Sequence, residues 1–259
     1  MRGRRPRPRH GGGADRGADG RRRAPRRAAR VTEPLRRLDA AAYVALGPAL
    51  LEAARDGRAG LAACVVEPAA LVLGSAQPEA DARPEIPVAR RGTGGGAVLC
   101  DAGTLLVDLA VPAGHPLAPE DVTEAYRPVG EAVRDALAGL GVGCRTVAVD
   151  EARAMSEARR AAARRACWAG ISPYEIVLDD GRKLVGLAQR RRRGAVLHQI
   201  AVPVTTAPAR VADHLVDGDD LADALAATAM LAAAAGCGSA TPAGVWDVLA
   251  GPLGRLLAA

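Results

Sequence analysis

Lysine is almost absent from this chain. Of its 35 basic residues, Lys183 is the one lysine, and all the others are arginine. A general preference for arginine replaces lysine wherever a positive charge alone is sufficient, so a surviving lysine marks a place where a planar guanidinium cannot substitute for a compact ammonium. Lys183 lies in an apolar, strand-like run rather than in a charged segment. We therefore predict that Lys183 is functional.

Aromatic residues are scarce as well, with no Phe, two Trp and three Tyr. Since 49% of the residues are hydrophobic, the chain can bury a large core, but this core must be aliphatic. No apolar run is long enough to cross a bilayer, so no membrane span is expected. The cysteines are odd in number, scattered and without a Cys-x-x-Cys pair: Cys64, Cys100, Cys144, Cys167 and Cys237. This pattern argues against a disulfide framework or a zinc site and predicts a reduced, cytoplasmic location.

Excess positive charge is confined to the N-terminus. Residues 1–30 hold 12 arginines and two aspartates, whereas the whole chain has a net charge of +6, so the remainder is slightly acidic. Residues 1–31 are rich in Arg, Gly and Pro without apolar periodicity, which predicts a disordered tail. No apolar segment follows the charges, so the tail is not a signal peptide. A nucleic-acid-binding arm is the alternative, but no aromatic residues are interleaved for base stacking.

The pattern of apolar residues predicts a mixture of strands and helices. A helix capped by Asp39 should run to about Arg58, followed by strands at Ala62–Val66, Ala70–Leu73 and Thr104–Val111. A three-strand meander follows later, because Asp179-Asp180-Gly181 and the segment 190–194 are turn signals between the strands 174–178, 183–189 and 195–204.

Three further segments are predicted to be helical. Glu120–Leu140 is amphipathic and should be kinked at Pro128, and residues 150–166 form either a helix or a mobile loop. Beyond the meander, helices are expected at Ala209–Ala235, with a break near Asp217, and at Thr241–Leu257. The resulting organisation is a tail (1–31), a catalytic domain (32–205) and a helical segment packed on it (206–259).

Two segments carry candidate binding residues. In Arg90–Val98 (Arg-Arg-Gly-Thr-Gly-Gly-Gly-Ala-Val), consecutive glycines allow the backbone to approach a ligand closely, and the two arginines supply charge for a carboxylate or phosphate. In the strand 183–189, Lys183, Val185, Leu187 and Gln189 should share one face, while Gly186 leaves the other face bare. Such a face suits a ligand with a polar head and an apolar body, although an ordinary half-exposed edge strand would show the same pattern.

Cys167 is a candidate nucleophile. Small and turn-forming residues surround it, which predicts a loop position near Lys183 and several arginines that would favour the thiolate. Cys64, Cys144 and Cys237 are instead expected to be inert packing residues.

Three motifs together resemble the lipoate–protein ligase and octanoyltransferase superfamily, which is related to biotin protein ligases. Arg90–Val98 is similar to its RR-x-[ST]-GGG-A-V loop, and Lys183–Arg191 is similar to its K-[IFL]-x-G-x-[AS]-Q-R-R strand. Cys167 followed by Ser-Pro-Tyr-Glu at 172–175 is similar to the C…S-Y-[DE] segment of cysteine-dependent octanoyl- and amidotransferases. The resemblance covers Leu35–Val204.

This resemblance implies an α+β fold with a mixed, largely antiparallel sheet flanked by helices. It implies an enzyme that joins an octanoyl or lipoyl group to a lysine of a lipoyl carrier domain, found in dehydrogenase-complex acyltransferase subunits or the glycine-cleavage carrier protein. Cys167 and Lys183 would be catalytic, with Lys183 holding the acyl carbonyl oxygen or an adenylate phosphate. The implied substrate-binding residues are Arg90, Arg91, Thr93, Gly94, Gly95, Gly96, Gly186 and Gln189.

Two mechanisms run on this scaffold. A transferase passes the acyl group through an enzyme cysteine and needs no cofactor or metal, whereas a ligase activates free lipoate with ATP and Mg²⁺. Cys167, the Gln-Arg-Arg run and the short segment after Val204 favour the transferase; the glycine loop is ligase-like. The family's histidine after that loop is replaced by Cys100, and Tyr174-Glu175 stands where ligases carry Asn-Asp. A ligase and a non-catalytic acyl- or carrier-binding paralogue remain the alternatives.

Overall fold

The computed structural model of the protein describes residues 34–234 and 237–258, so the predicted tail lies outside the described residues. Ten strands are described: β1 (Arg36–Leu38), β2 (Gly60–Val66), β3 (Ala70–Leu73), β4 (Val88–Arg90), β5 (Val98–Cys100), β6 (Thr104–Pro112), β7 (Cys144–Thr146), β8 (Ile176–Leu178), β9 (Lys183–Arg192) and β10 (Ala195–Pro203). The α-helices are α1 (Ala40–Arg55), α2 (Arg127–Ala138), α3 (Val149–Arg153), α4 (Glu157–Arg165), α5 (Ala222–Ala226) and α6 (Pro242–Leu257).

Seven strands form a large sheet in the order β1-β2-β6-β10-β9-β8-β7, and three form a small sheet in the order β4-β3-β5. Neighbouring strands of the large sheet are antiparallel except β1 and β2, and β3 pairs in parallel with β4. The predicted α+β fold with a mixed, largely antiparallel sheet flanked by helices is confirmed.

Helices cover both faces of the large sheet because its central strands alternate between two apolar clusters. On β6, Leu109 packs in the cluster that includes α2 and α6, whereas the adjacent Ala110 packs with α1. The face covered by α1 also meets the small sheet and the segment around Trp168. Among the described residues, no helix combines the length and apolar character needed to span a membrane.

The meander is confirmed, with β8, β9 and β10 as its three strands. Gly181 has a φ of +87° in the first turn, as the Asp-Asp-Gly signal indicates. The second turn is tighter than predicted, because β9 continues through Arg192 and leaves only Arg193 and Gly194 between the strands.

Several helix predictions need correction. α2 begins at Arg127, and Pro128 lies in its first turn, where the missing N–H is not needed, so the predicted kink is wrong. Residues 150–166 contain two short helices, α3 and α4, separated at residues 154–156. Both helices are capped at their N-termini, since Ser156 accepts a hydrogen bond from Arg159 N and Glu151 from Ala148 N.

The long helix predicted at Ala209–Ala235 is also wrong. Half of the described residues in this segment form 3₁₀ turns, which include Pro208–His214 and Gly218–Leu221, and α5 spans only five residues. Asp217, with a φ of +49°, lies at the predicted break. α1 and α6 begin as predicted, after the N-cap residues Asp39 and Thr241. α6 packs against α2, β6 and β2.

Candidate active site

The glycine loop between β4 and β5 lies directly against the chain segment that follows α4. A Cβ on Gly96 would come within 2.5 Å of the Arg165 carbonyl carbon and 2.6 Å of the Ala166 nitrogen. A Cβ cannot fit at such distances, so glycine at this position allows the two backbones to touch. Gly95 has a φ of +91°, which also favours glycine.

This contact positions Cys167. Ala97 N donates to Arg165 O (2.9 Å), and Cys167 N donates to Ala97 O (3.0 Å). Cys167 then begins a 3₁₀ turn that ends at Ala169. Its Sγ lies 3.5 Å from the point that a Cβ on Gly95 would occupy. The glycine loop and the cysteine, separated by some 70 residues of sequence, therefore form one site.

Arg91 stabilises the same loop from within. Its side chain is buried, and its Nη2 donates to Gly94 O (2.9 Å) and Gly96 O (2.8 Å). The same nitrogen is 3.2 Å from the Cβ position of Gly95, so the open space beside this glycine is bounded by a guanidinium and a thiol. Charge-assisted bonds to two carbonyl groups fix the loop conformation.

Arg90 and Thr93 form hydrogen bonds with residues other than Cys167. The Arg90 guanidinium donates to the backbone oxygens of Gly74 (2.9 Å) and Gln77, and Arg90 is not among the residues that line the two cavities described below. Thr93 Oγ1 donates to Gln199 Oε1 (2.8 Å). The hydrogen bonds of Arg90 therefore stabilise the backbone next to the glycine loop, and that of Thr93 orients the Gln199 side chain.

Lys183, at the start of β9, is 1% exposed and makes three polar contacts. Its Nζ donates to Cys167 O (3.2 Å) and Gly170 O (2.9 Å) and forms an ion pair with Glu175 Oε2 at 2.8 Å. The ring centroid of Trp168 lies 5.5 Å from Nζ. Lys183 thus connects strand β9 to the turn that carries the cysteine.

Glu175 is a buried member of this polar cluster that reasoning from the sequence did not single out. Both its oxygens are occupied: Oε2 accepts from Ser172 N (2.7 Å) as well as Lys183, and Oε1 accepts from Leu187 N (2.9 Å). A buried lysine needs a counter-charge, so a carboxylate near β9 could have been sought. Tyr174, immediately before it, has a φ of +65° and therefore a strained backbone.

Two cavities meet at this centre. The inner cavity is mainly apolar and is lined by Tyr43, Val72, Val98, Cys100, Leu106 and Trp168, among others. The outer cavity is more polar, and its lining includes Gly94, Tyr126, Met155, Ser172, Glu175 and Gln189. Four residues line both cavities: Cys167, Lys183, Leu187 and Ala188. An apolar chain in the inner cavity would therefore present its polar end at the cysteine.

The strand face predicted to form the binding slot is partly wrong. Val185 is fully buried in the cluster with α2 and α6 and is not part of either cavity lining. Gly186 and Ala188, from the opposite face of β9, line the inner cavity instead. A Cβ on Gly186 would be 3.6 Å from the Trp168 ring, so glycine at this position leaves space in the inner cavity beside that ring. Gln189 lines the outer cavity and accepts a hydrogen bond from Arg191 (2.8 Å).

Asp108, in the middle of β6, is a second group that was not predicted. It is 2% exposed; Oδ1 accepts from Gln199 Nε2 (2.9 Å), and Oδ2 has no partner among the described residues. Burial raises the pKa of the Asp108 carboxyl to about 7, and the hydrogen bond from Gln199 offsets only part of this increase. Gln199 lines the inner cavity and also accepts from Thr93, so Asp108 is linked to the glycine loop.

The remaining cysteines lie in other environments. Cys64, Cys100 and Cys237 are buried, and Cys144 is half-buried. Burial raises the pKa of the Cys64 thiol to about 12 and also raises the pKa of the Cys100 and Cys144 thiols. A raised pKa disfavours the nucleophilic thiolate, so these three are poor nucleophiles at neutral pH.

Comparison with known proteins identifies a family for most of the described region. The model of the lipoyl protein ligase A/B catalytic domain matches residues 39–231. The chain is 38% identical over 120 residues to a protein of Exiguobacterium sp. named octanoyltransferase LipM, which covers 46% of this chain and 42% of that protein. It is 36% identical over 115 residues to octanoyltransferase LipM of Bacillus cereus, covering 44% and 40% respectively. The matches thus span about two fifths of these relatives' lengths.

Solved structures share the fold at low sequence identity. A lipoate-protein ligase A bound with ATP matches with a TM-score of 0.65 and 20% identity, over 87% of this chain and 86% of that one. A bipartite lipoate protein ligase from Thermoplasma acidophilum, solved as part of a lipoylation system with its E2 lipoyl domain, matches with a TM-score of 0.64 and 20% identity, over 86% and 84%.

Proposed function

Because this chain belongs to the lipoyl protein ligase A/B catalytic domain family, we propose that it is an acyltransferase that joins an octanoyl or lipoyl group to a lysine of a lipoyl carrier domain. The relatives named octanoyltransferase support this activity. The observation that carries the proposal is the place of Cys167, whose thiol lies beside Gly95 where the apolar inner cavity meets the outer cavity.

The proposed reaction has two steps. The Cys167 thiol ionises, and its thiolate attacks the carbonyl carbon of a thioester donor. The bond from that carbon to the donor sulfur breaks, and the donor leaves as a thiolate that takes up the proton released by Cys167. The neutral amine of the acceptor lysine then attacks the acyl-cysteine, an amide forms, and the amine proton passes to the departing Cys167 sulfur. Covalent catalysis of this kind divides one difficult transfer into two easier ones.

Lys183 has two roles in this proposal. Its bonds to Cys167 O and Gly170 O hold the turn that presents the thiol, and its ammonium places positive charge beside the reacting carbonyl. A substrate oxyanion would replace one of the two backbone oxygens on Nζ, and such a donor contributes about 3 kcal/mol to transition-state stabilisation. The Arg91 guanidinium adds a second positive charge near the thiol, because its Nη2 and the Cys167 Sγ lie on either side of the open space beside Gly95.

The ATP-dependent ligase is the second candidate. The fold is shared with a lipoate-protein ligase A bound with ATP, which supports keeping this route. It would use ATP and Mg²⁺ to form an acyl-adenylate, with Lys183 directed at a phosphate oxygen, and it would need no enzyme thiol. Under the transferase route we expect no cofactor.

The acceptors in either route would be lipoyl domains of dehydrogenase-complex acyltransferase subunits or the glycine-cleavage carrier protein, and the place of action would be the cytoplasm. Intact-mass spectrometry of enzyme and lipoyl domain tests the activity. We expect an octanoyl adduct on the domain after incubation with octanoyl carrier protein and no ATP. Modification that requires lipoate and ATP would identify the ligase, and no modification under either condition would contradict the proposed function.

A further inference from the structure

A row of arginines extends from the site along strand β9 to the turn before β10. Side chains two residues apart lie on the same face of a strand, about 7 Å apart, and the β9–β10 pairing is regular from Gly186 to Arg192. Ala188, which lines both cavities, is therefore followed on its face by Arg190 and then by Arg192. Arg193 continues the row in the turn.

These side chains line a groove against α1, which we call the basic groove. Its charged residues are Arg55, Arg190, Arg192, Arg193 and Glu52. Glu52 is paired with Arg55 at 3.0 Å, and none of the three arginines of β9 and its turn forms an ion pair within the described part of the chain. Outside residues 1–30 the chain has more acidic than basic residues, so this groove is a positively charged site in a region of the chain that is acidic overall.

The basic groove contacts the glycine loop through Arg190. A Cβ on Gly92 would lie 1.5 Å from Arg190 Nη1, so this guanidinium packs directly on the glycine loop. A narrow cavity beside this contact shares Arg190 with the groove and shares Tyr43, Arg91 and Gln199 with the inner cavity. A partner bound in the groove would therefore contact Arg190, whose guanidinium packs on the loop that borders Cys167.

We propose that the basic groove binds a carboxylate-rich surface of the acceptor domain while that domain's lysine enters the outer cavity. The inference rests on the proposed function, but it holds for both of its routes, because transferase and ligase alike deliver the acyl group to a protein lysine. Unpaired arginines attract an anionic surface over long range and increase the rate of encounter. No aromatic side chain lines the groove for base stacking, which favours an acidic protein over a single-stranded nucleic acid.

The test reverses charge at the end of the groove that is remote from the loop. In Arg192→Glu/Arg193→Glu both changed side chains are exposed, and Arg190 is left intact because it contacts Gly92. With an isolated lipoyl domain as acceptor, we expect KM for the domain to rise at least about tenfold with little change in kcat. The reason is that the groove assists association with the domain and takes no part in the chemical step. The difference from wild type should shrink as NaCl is raised from about 50 to 300 mM.

A control with the same change in net charge is available in Arg36→Glu/Arg255→Glu. Both residues are exposed and lie on β1 and α6, outside the groove. This control should leave KM for the lipoyl domain within about twofold of wild type. Acylation of Cys167 by the uncharged octanoyl thioester of N-acetylcysteamine separates docking from chemistry, and the groove variant should match the control in this step.

Three results would overturn the inference: an unchanged KM in the groove variant, an equal rise in the control, or an equal loss in acylation by the small thioester. If no acyl transfer occurs with any donor, the proposed function fails, but titration of the lipoyl domain onto the protein still tests the groove, and we expect about tenfold weaker binding in the groove variant. If the groove variant instead loses only the binding of a labelled oligonucleotide, the groove is a nucleic-acid surface and the inference is wrong.

Discussion

Lys183 and Glu175 form an ion pair at 2.8 Å in which each side chain is 2% exposed. The pair joins two parts of the site, because Lys183 also donates to Cys167 O and Glu175 accepts from Leu187 N on strand β9. Two charges buried together in this way stabilise each other, whereas either one alone would be strongly unfavourable. The pair therefore fixes the position of the cysteine relative to the strand that lines both cavities.

The coupling between these residues can be measured with a double-mutant cycle. Lys183→Met and Glu175→Gln should each lower the free energy of unfolding by about 3 kcal/mol or more, because each leaves an uncompensated buried group. The double variant should recover most of this loss and yet transfer no acyl group, since the ammonium is absent. Urea unfolding and intact-mass assays check both expectations. A double variant whose loss equals the sum of the single losses would show that the pair is not coupled.

Lys183→Arg tests whether the ammonium itself is required. Its three acceptors surround Nζ at distances of 2.8 to 3.2 Å, an arrangement that a planar guanidinium on a longer stem cannot reproduce. We expect a folded protein whose acyl-transfer rate is at least about a hundredfold lower, the scale of losing one positioned donor. A single-turnover rate close to that of wild type, at an unchanged melting temperature, would refute this role.

Gly95→Ala tests whether the glycine loop binds the acyl substrate. The new Cβ would lie 3.2 Å from Arg91 Nη2 and 3.5 Å from Cys167 Sγ, in the open space beside the thiol that a bound thioester would have to approach. Gly141→Ala is the matched control, since Gly141 has a φ of +82° and open space around its Cβ position. Both variants carry similar backbone strain of about 1–2 kcal/mol, so both should melt at similar reduced temperatures.

Binding of an octanoyl ligand should be lost in the Gly95 variant alone, as measured by calorimetric titration. Equal affinity in the two variants would mean that the loop has a structural role and that the acyl group lies elsewhere.

Local signals in the sequence predicted those parts of the fold that short-range physics determines. The Asp39 cap, the Asp-Asp-Gly hairpin and the long strand β6 each follow from adjacent residues. The functional role inferred from the isolated Lys183 stays a prediction, and the structure shows that this lysine is buried beside Cys167. The contact between Gly95 and Cys167 depends on chain segments far apart in sequence, and motif resemblance alone brought these residues together. The ion pair with Glu175 required knowing that β9 and the segment before β8 are adjacent.

The segment after β10 was mispredicted for a related reason. Its alanine and leucine content is typical of helices, but the chain crosses a buried surface there: Lys183 N donates to Ala227 O, and Ala229 N donates to Lys183 O. Tertiary hydrogen bonds of this kind override the helix propensity of individual residues.

Asp108 should make stability depend on pH. Its pKa in the folded protein is about 7, raised by burial from 3.8. Between about pH 4 and pH 7 the unfolded chain has lost this proton while the folded protein retains it, so the group's contribution falls as the pH rises. Asp108→Asn lacks the titration, and its stability relative to wild type should therefore rise by a few kcal/mol across this range and remain constant above it. Urea unfolding at four or five pH values checks this, and a constant difference would contradict the raised pKa.

The central claim, an acyl-enzyme on Cys167, is tested most directly by the mass of the enzyme after brief mixing with octanoyl carrier protein in the absence of ATP. We expect one octanoyl adduct on the wild-type protein, assigned to Cys167 by peptide mapping, which disappears when the lipoyl domain is added. Cys167→Ser should show no thioester adduct and should modify no lipoyl domain. A Cys167→Ser variant that still modifies the domain with lipoate and ATP at the wild-type rate would contradict the transferase and identify an ATP-dependent ligase.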